Sequence, residues 1–256
     1  MTEPQHALGP MAGRVALVTG ASSGLGRATA VALAQAGADV ALLARGRQDL
    51  EQAAAEVERA GRRALVLVAD LADAEALTGA VARVVEAFGR VDVLVNAAGT
   101  DVPAPVAELA VQDWDRVVAV NLRAPFVLAK AAFPHMRSAG GGTVVNVSSV
   151  AGKRGWAGAA AYCASKFGLT GLTQALAAEG RAHGIRACVL YPGAMATSWG
   201  VWSPDEREQA QGGRPPASKA LPPQEVAALV VWIATAPAEL VLNEAVVSPL
   251  EEQGWP

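Results

Sequence analysis

Val15-Ala16-Leu17-Val18-Thr19-Gly20-Ala21-Ser22-Ser23-Gly24-Leu25-Gly26 is the most informative stretch of the chain. Its four leading apolar residues, closed by Thr19-Gly20, read as a short strand buried on both faces. The residues that follow, to about Gly37, carry Ala and Leu at helical spacing. A glycine-rich turn therefore sits between a strand and a helix. Glycines there allow a tight turn and close backbone approach to a pyrophosphate. The helix N-terminus adds unpaired N–H groups and a partial positive charge. The spacing is Gly-x3-Gly-x-Gly, not the commoner Gly-x-Gly-x2-Gly, and the Lys-Ser/Thr ending of an ATP-type loop is missing. Taken without its flanks, the turn is weak evidence, with an ordinary loop as the alternative.

The same grammar repeats outward from this point. Strands are expected at 40–43, 64–68, 91–95, 143–147, 186–190 and 244–247. Helices are expected at 48–60, 74–88, 111–138, 159–183 and 224–235, with Pro125 and Pro134 as irregularities in the third of these. Strand and helix alternate throughout, which predicts an α/β fold: a doubly wound parallel sheet of about seven strands with helices on both faces. Ligands of such sheets sit beyond the carboxyl ends of the strands, and the motifs that carry chemistry in this chain all fall there.

The 256 residues are expected to form one dinucleotide-binding and catalytic domain over 13–256, after a loose N-terminal arm at 1–12. Residues 198–223 hold Trp199, Trp202, Gly212-Gly213 and two Pro-Pro pairs, and read as a substrate flap. The formal net charge of −3, with no dense basic tract, points away from nucleic acid and anionic membranes. No apolar stretch reads as a spanning helix and no secretory signal is evident. The two cysteines, Cys163 and Cys188, read as small buried residues, and His6, His135 and His183 are scattered. A cytoplasmic, metal-free protein is expected.

Two further motifs carry chemistry. Ala44-Arg45 ends the second strand, where an NAD site usually has a carboxylate for the adenosine 2′-hydroxyl. A guanidinium in that place suits a 2′-phosphate, so NADP(H) is expected over NAD(H). Tyr162 and Lys166 stand four residues apart on an expected helix and share one face. An ammonium there stabilises phenolate and lowers the tyrosine pKa, making Tyr162 usable as an acid/base. Ser148-Ser149 ends the fifth strand, and one of the two hydroxyls can hold a substrate oxygen beside the tyrosine.

Together these residues resemble the short-chain dehydrogenase/reductase family in its form of roughly 250 residues, across about 13–250. The matching elements run in family order: Thr19-Gly20-x3-Gly24-x-Gly26, Asp70-Leu71, Asn96-Ala97-Ala98-Gly99, Asn121, Ser149, Tyr162-x3-Lys166 and Pro192-Gly193-x3-Thr197. The resemblance implies a Rossmann-type fold and an oxidoreductase moving a hydride between NADP(H) and a carbonyl or secondary alcohol. It assigns Ser149, thirteen residues before Tyr162, as the substrate-oxygen donor. It makes Tyr162 the acid/base, Lys166 its activator and a ligand of the nicotinamide ribose, and Asn121 the holder of a water. The cofactor would also be bound by Gly20, Ser22, Ser23, Gly24, Leu25, Gly26, Arg45, Asp70 at the adenine, Leu71, Asn96, Ala98, Gly99, Pro192, Gly193 and Thr197.

Ala97 and Ser23 depart from the family pattern, Ser23 standing where many NADP-linked members carry a basic residue. The ending Leu242-Asn243-Glu244-Ala245-Val246-Val247-Ser248-Pro249 lacks the Val-Asp-Gly-Gly of acyl-carrier-protein ketoreductases, and carbonyl reductases and alcohol dehydrogenases are the nearer likeness. Val150, Trp156, Ala194, Met195, Trp199 and Trp202 are the substrate-facing candidates for a small ketone or alcohol. The resemblance implies a homo-oligomer, a dimer or homotetramer, packed through the helices at 111–138 and 159–183. An NAD-linked alcohol or hydroxysteroid-type dehydrogenase is the alternative, against which Ala44-Arg45 argues. A non-catalytic NADP(H) sensor should have lost part of the Asn121, Ser149, Tyr162, Lys166 set, and none is lost.

Overall fold

The computed structural model describes residues 9–197 and 220–251. Seven strands form one parallel sheet: β1 (Val15–Thr19), β2 (Asp39–Ala44), β3 (Ala64–Val68), β4 (Val93–Asn96), β5 (Gly142–Val147), β6 (Ile185–Pro192) and β7 (Glu244–Val247). Their spatial order is β3-β2-β1-β4-β5-β6-β7. The chain therefore reverses its direction of travel between β1 and β4, which end side by side with Thr19 opposite Asn96. A crevice opens beyond the strand ends at such a reversal.

The helices are α1 (Gly24–Gln35), α2 (Arg47–Arg59), α3 (Ala74–Phe88), α4 (Val111–Val118), α5 (Ala124–Ser138), α6 (Ala160–Gly180) and α7 (Pro223–Thr235). They cover both faces of the sheet. Alternate residues of β1 show why: Ala16 and Val18 pack into a core with α1, α2 and α7, whereas Val15 and Leu17 join one with α3 and α5. Local chemistry sets the helix ends. In α3 the Asp73 carboxylate accepts from the N–H groups of Glu75 and Ala76, both at 3.0 Å, and Gly89 ends the helix at φ +81°. Its buried Leu77, Ala80, Val81 and Val84 follow the helical period.

The run 111–138, expected as one helix with proline irregularities, is divided by a π-helical turn at Ala119–Arg123. Pro125 lies in the first turn of α5, where its missing N–H costs little, and α5 accommodates Pro134 in its interior. The expectation that no segment has the length and apolarity of a membrane span needs correcting. Val111–Ser138 has both, but half of its apolar window is buried in this fold, and α5 packs on α3, β4 and β5.

Residues 9–12, assigned from sequence to the N-terminal arm, turn against α1: Met11 is fully buried and its N–H donates to Ala36 O at 2.9 Å. The flap at 198–223 lies outside the described residues except for 220–223. There Leu221 bridges Met195, and Pro223 begins α7. Trp199 and Trp202 likewise lie outside the described residues. Cys163 and Cys188 are buried free thiols, and burial pushes Cys188 up to about 12.

Candidate active site

The crevice between the ends of β1 and β4 is floored by glycine. Gly20 has φ +67°, and a Cβ there would meet the Ala98 backbone at 3.0 Å. The loops after β1 and β4 thus touch, and Ala98 N–H donates to Thr19 Oγ1 at 3.2 Å. A Cβ on Gly26 would lie 2.2 Å from Gly20 O, so only glycine lets α1 start this close to β1. Gly24, at φ +52°, faces Thr197 from the segment after β6, 3.3 Å from where its Cβ would be. Ser23 is the N-cap of α1 yet makes no side-chain cap, and the first turn holds no acidic residue. The first N–H groups of α1 are consequently left for an anion. These features fit a dinucleotide pyrophosphate.

Around that turn, Ser22 is half-buried, Ser23 exposed and Leu25 buried. Arg45 follows β2 and is exposed at the same edge. Asp70 lies near it: Arg116 Nη1 donates to Asp70 Oδ2 at 2.9 Å and Ala72 N–H to Oδ1 at 2.9 Å. Burial raises the Asp70 pKa, but the Arg116 bond, the Ala72 N–H and the charges of Arg116 and Arg45 outweigh it and hold it low. Leu71 is buried beside it. Asn96 is locked from its side chain, donating to Asn146 Oδ1 at 2.8 Å, while Asn146 donates to Thr173 Oγ1 at 2.8 Å. Gly99 leads out of β4's loop. Pro192 pairs with Val247, and Gly193 N–H donates to Val247 O at 2.8 Å.

The proposed catalytic side chains gather on β5, α6 and the π turn. Ser149 follows β5, accepts from Ala151 N–H at 3.2 Å, and is hydrogen-bonded to the buried Tyr162 phenol. Lys166 is also buried. Its ammonium donates to Val147 O at 2.8 Å and lies 5.6 Å from the centre of the Tyr162 ring. Burial lowers its pKa to about 8. Asn121 sits in the π turn, where the widened helix brings its amide to the chain after β4. Oδ1 accepts from Thr100 N–H and Nδ2 donates to Thr100 O, each at 2.8 Å, with a further bond from Nδ2 to Ser165 Oγ at 3.1 Å.

The geometry corrects one expectation. The i,i+4 spacing predicts that Lys166 lowers the Tyr162 pKa. In the structure burial dominates and pushes the phenol upward, the Ser149 hydrogen bond opposes it, and Asp101 and Cys163 add to the rise. The Lys166 ammonium, meanwhile, donates to the β5 carbonyl of Val147. Of the substrate-facing candidates, Val150 and Trp156 lie on the chain between Ser149 and Tyr162, with Trp156 45% exposed; Ala194 and Met195 follow β6. Sequence reasoning misses Asp101, Ser165 and Arg116. Asp101 has one visible signal, a carboxylate two residues past the Asn-Ala-Ala-Gly motif at a strand's carboxyl end.

A nucleotide cradle at the sheet's reversal point, with a serine, tyrosine and lysine beside it, defines a dinucleotide-dependent oxidoreductase site. Residues 14–207 match the family model for short chain dehydrogenase. The chain belongs to the short-chain dehydrogenase family and is an oxidoreductase of the alcohol–carbonyl type. It is 38% identical to D-threitol dehydrogenase of Mycolicibacterium smegmatis over 90% of this chain and 88% of that protein. It also resembles a metagenomic short-chain oxidoreductase solved in complex with NADP (35% identity, TM-score 0.81, 95% of this chain and 100% of that one). A third likeness is carveol dehydrogenase from Mycobacterium avium, solved with NAD (28% identity, TM-score 0.84, 93% and 97%).

Proposed function

We propose that the protein moves a hydride between NADP(H) and a secondary alcohol or ketone, with Tyr162 moving the proton. The observation that carries this reading is the buried Ser149–Tyr162 hydrogen bond with Lys166 behind it, next to the glycine cradle. The α1 N-terminus and Gly20 to Gly26 would hold the pyrophosphate. Arg45 would take the 2′-phosphate, and Lys166 the nicotinamide ribose. When bound, the nicotinamide supplies or accepts the hydride. Ser149 and Tyr162 would grip the substrate oxygen between two hydroxyls. In reduction Tyr162 gives its proton to that oxygen; in oxidation it takes the proton of the substrate hydroxyl. The upward push on the phenol keeps Tyr162 neutral in the free protein, which suits proton donation to a ketone.

Relatives acting on D-threitol and carveol support a small alcohol as substrate. NADP and NAD each occur among similar structures, so the cofactor preference rests on Arg45. We further propose that copies assemble through α4, α5 and α6, which expose Val111, Trp114, Phe126 and Phe167. Light scattering on the purified protein would test this, and a monomer at working concentration would refute it.

The test of function follows NADPH or NADH oxidation with a panel of aryl ketones and diketones, with Tyr162→Phe alongside. Turnover with NADPH, little with NADH and none in the variant is expected. Undiminished turnover in Tyr162→Phe would overturn the acid/base role. Tight nucleotide binding without turnover of any ketone or alcohol would favour a sensor.

A further inference from the structure

Asp101 is a buried carboxylate to which the proposed proton and hydride transfer gives no role. It lies on the loop leaving β4, and the chain is pinned on both sides of it. Thr100 is held through its N–H and its carbonyl by the Asn121 amide. Ala104 N–H donates to Gly158 O at 3.0 Å, and Ala104 bridges Ala159, the residue before the helix that carries Tyr162. The segment 101–103 thus spans between two elements of the catalytic site.

Asp101 keeps 7% exposure. Among the described residues its Oδ1 accepts only from the adjacent Val102 N–H, at 2.8 Å. Among the described residues no cation pairs with it. Oδ2 takes no hydrogen bond from the described residues, yet it is not one of the oxygens closed off from solvent without a partner, which are Thr29 Oγ1 and Asn96 Oδ1. The carboxylate lies close enough to Tyr162 for its charge to act on the phenol. A buried carboxylate with one backbone donor is costly, and a donor brought by a ligand would complete its coordination.

Resting on the oxidoreductase reading, we infer that Asp101 selects substrates bearing a second hydroxyl next to the carbinol. That hydroxyl donates to Oδ2 while the reacting oxygen sits between Ser149 and Tyr162. In the oxidation the carbinol loses hydride to the nicotinamide and its proton to Tyr162; the second hydroxyl is unchanged.

The test compares butane-2,3-diol with butan-2-ol, NADP⁺ or NAD⁺ as oxidant, in wild type, Asp101→Asn and Asp101→Ala. Nucleotide binding by fluorescence reports that each variant is folded. A hydrogen bond to a charged acceptor predicts a wild-type preference for the diol of about tenfold or more in kcat/KM. The preference should fall in the order Asp, Asn, Ala, reaching near unity in Asp101→Ala through KM for the diol. Equal loss on both alcohols marks Asp101 as merely structural and overturns the inference. So does a wild type that oxidises both alcohols without discrimination, or one that prefers 3-aminobutan-2-ol to the diol, which would make the ligand a cation. Turnover of neither alcohol by wild type overturns the inference, while the oxidoreductase reading is judged separately by the ketone panel.

Discussion

Replacing Lys166 by methionine should stabilise the fold near neutrality while abolishing turnover. Lys166 is 3% exposed, and among the described residues its ammonium has one hydrogen bond, to Val147 O. No carboxylate among the described residues pairs with it. Burial lowers its pKa from 10.5 to about 8, so the folded chain holds this proton less firmly than the unfolded chain. The unfolded state then binds more protons between those values, and stability rises with pH through that window. Below about pH 8 the cost of the buried ammonium is fully present, about 3 kcal/mol at about 1.4 kcal/mol per pKa unit, and by pH 9.5 only about 1 kcal/mol of it remains. Methionine removes the charge at similar length but leaves Val147 O without its donor, a penalty of about 1 kcal/mol that does not depend on pH. Urea unfolding of both proteins, at equal concentration, should therefore show a stability difference that shrinks by about 2 kcal/mol between pH 7 and pH 9.5. A difference constant across that range would refute the buried-ammonium reasoning. The gain at neutrality would be a stability cost retained for activity.

Arg45→Asp should lower kcat/KM with NADPH and raise it with NADH, moving their ratio by about 100-fold, the scale of a lost charge-assisted bond plus a like-charge repulsion. An unchanged ratio would remove Arg45 from the 2′-phosphate site. Gly26→Ala places a Cβ 2.2 Å from Gly20 O, and overpacking of this kind costs about 1–3 kcal/mol. A lower melting temperature and weakened nucleotide binding are expected; wild-type values for both would contradict the close approach of α1 to β1.

The sheet is legible in the sequence because strands buried on both faces must be short apolar runs, and glycines mark where they end. The π turn at Ala119–Arg123 is not, since one extra residue in a turn leaves the apolar pattern of 111–138 almost intact. Its cause is tertiary: the Asn121 amide is drawn to Thr100 and Ser165, which sequence spacing does not bring together. The Tyr162–Lys166 spacing puts both residues on one face of α6. It carries no sign that a β5 carbonyl holds the ammonium. Asp101 reads as a solvated loop carboxylate until Ala104 is seen bridging Ala159. Arg116 escapes sequence reading for the same reason, as its partner Asp70 lies 46 positions away in the chain.

The covering of α1 bears on how the protein matures during synthesis. Ala30, Leu33 and Ala34 of α1 share a core with Val226, Ala227 and Val230 of α7. Gly24 meets Thr197. A nascent chain that has cleared the ribosome only to residue 197 owns the glycine turn, Arg45, Asp70 and the rest of the proposed nucleotide-binding set, yet the helix proposed to present its N-terminus still has an oily flank open to water. Nucleotide affinity should therefore arrive late in translation, after α7 has emerged, and a chain cut before Pro223 should fail to bind nucleotide although it keeps the entire binding set.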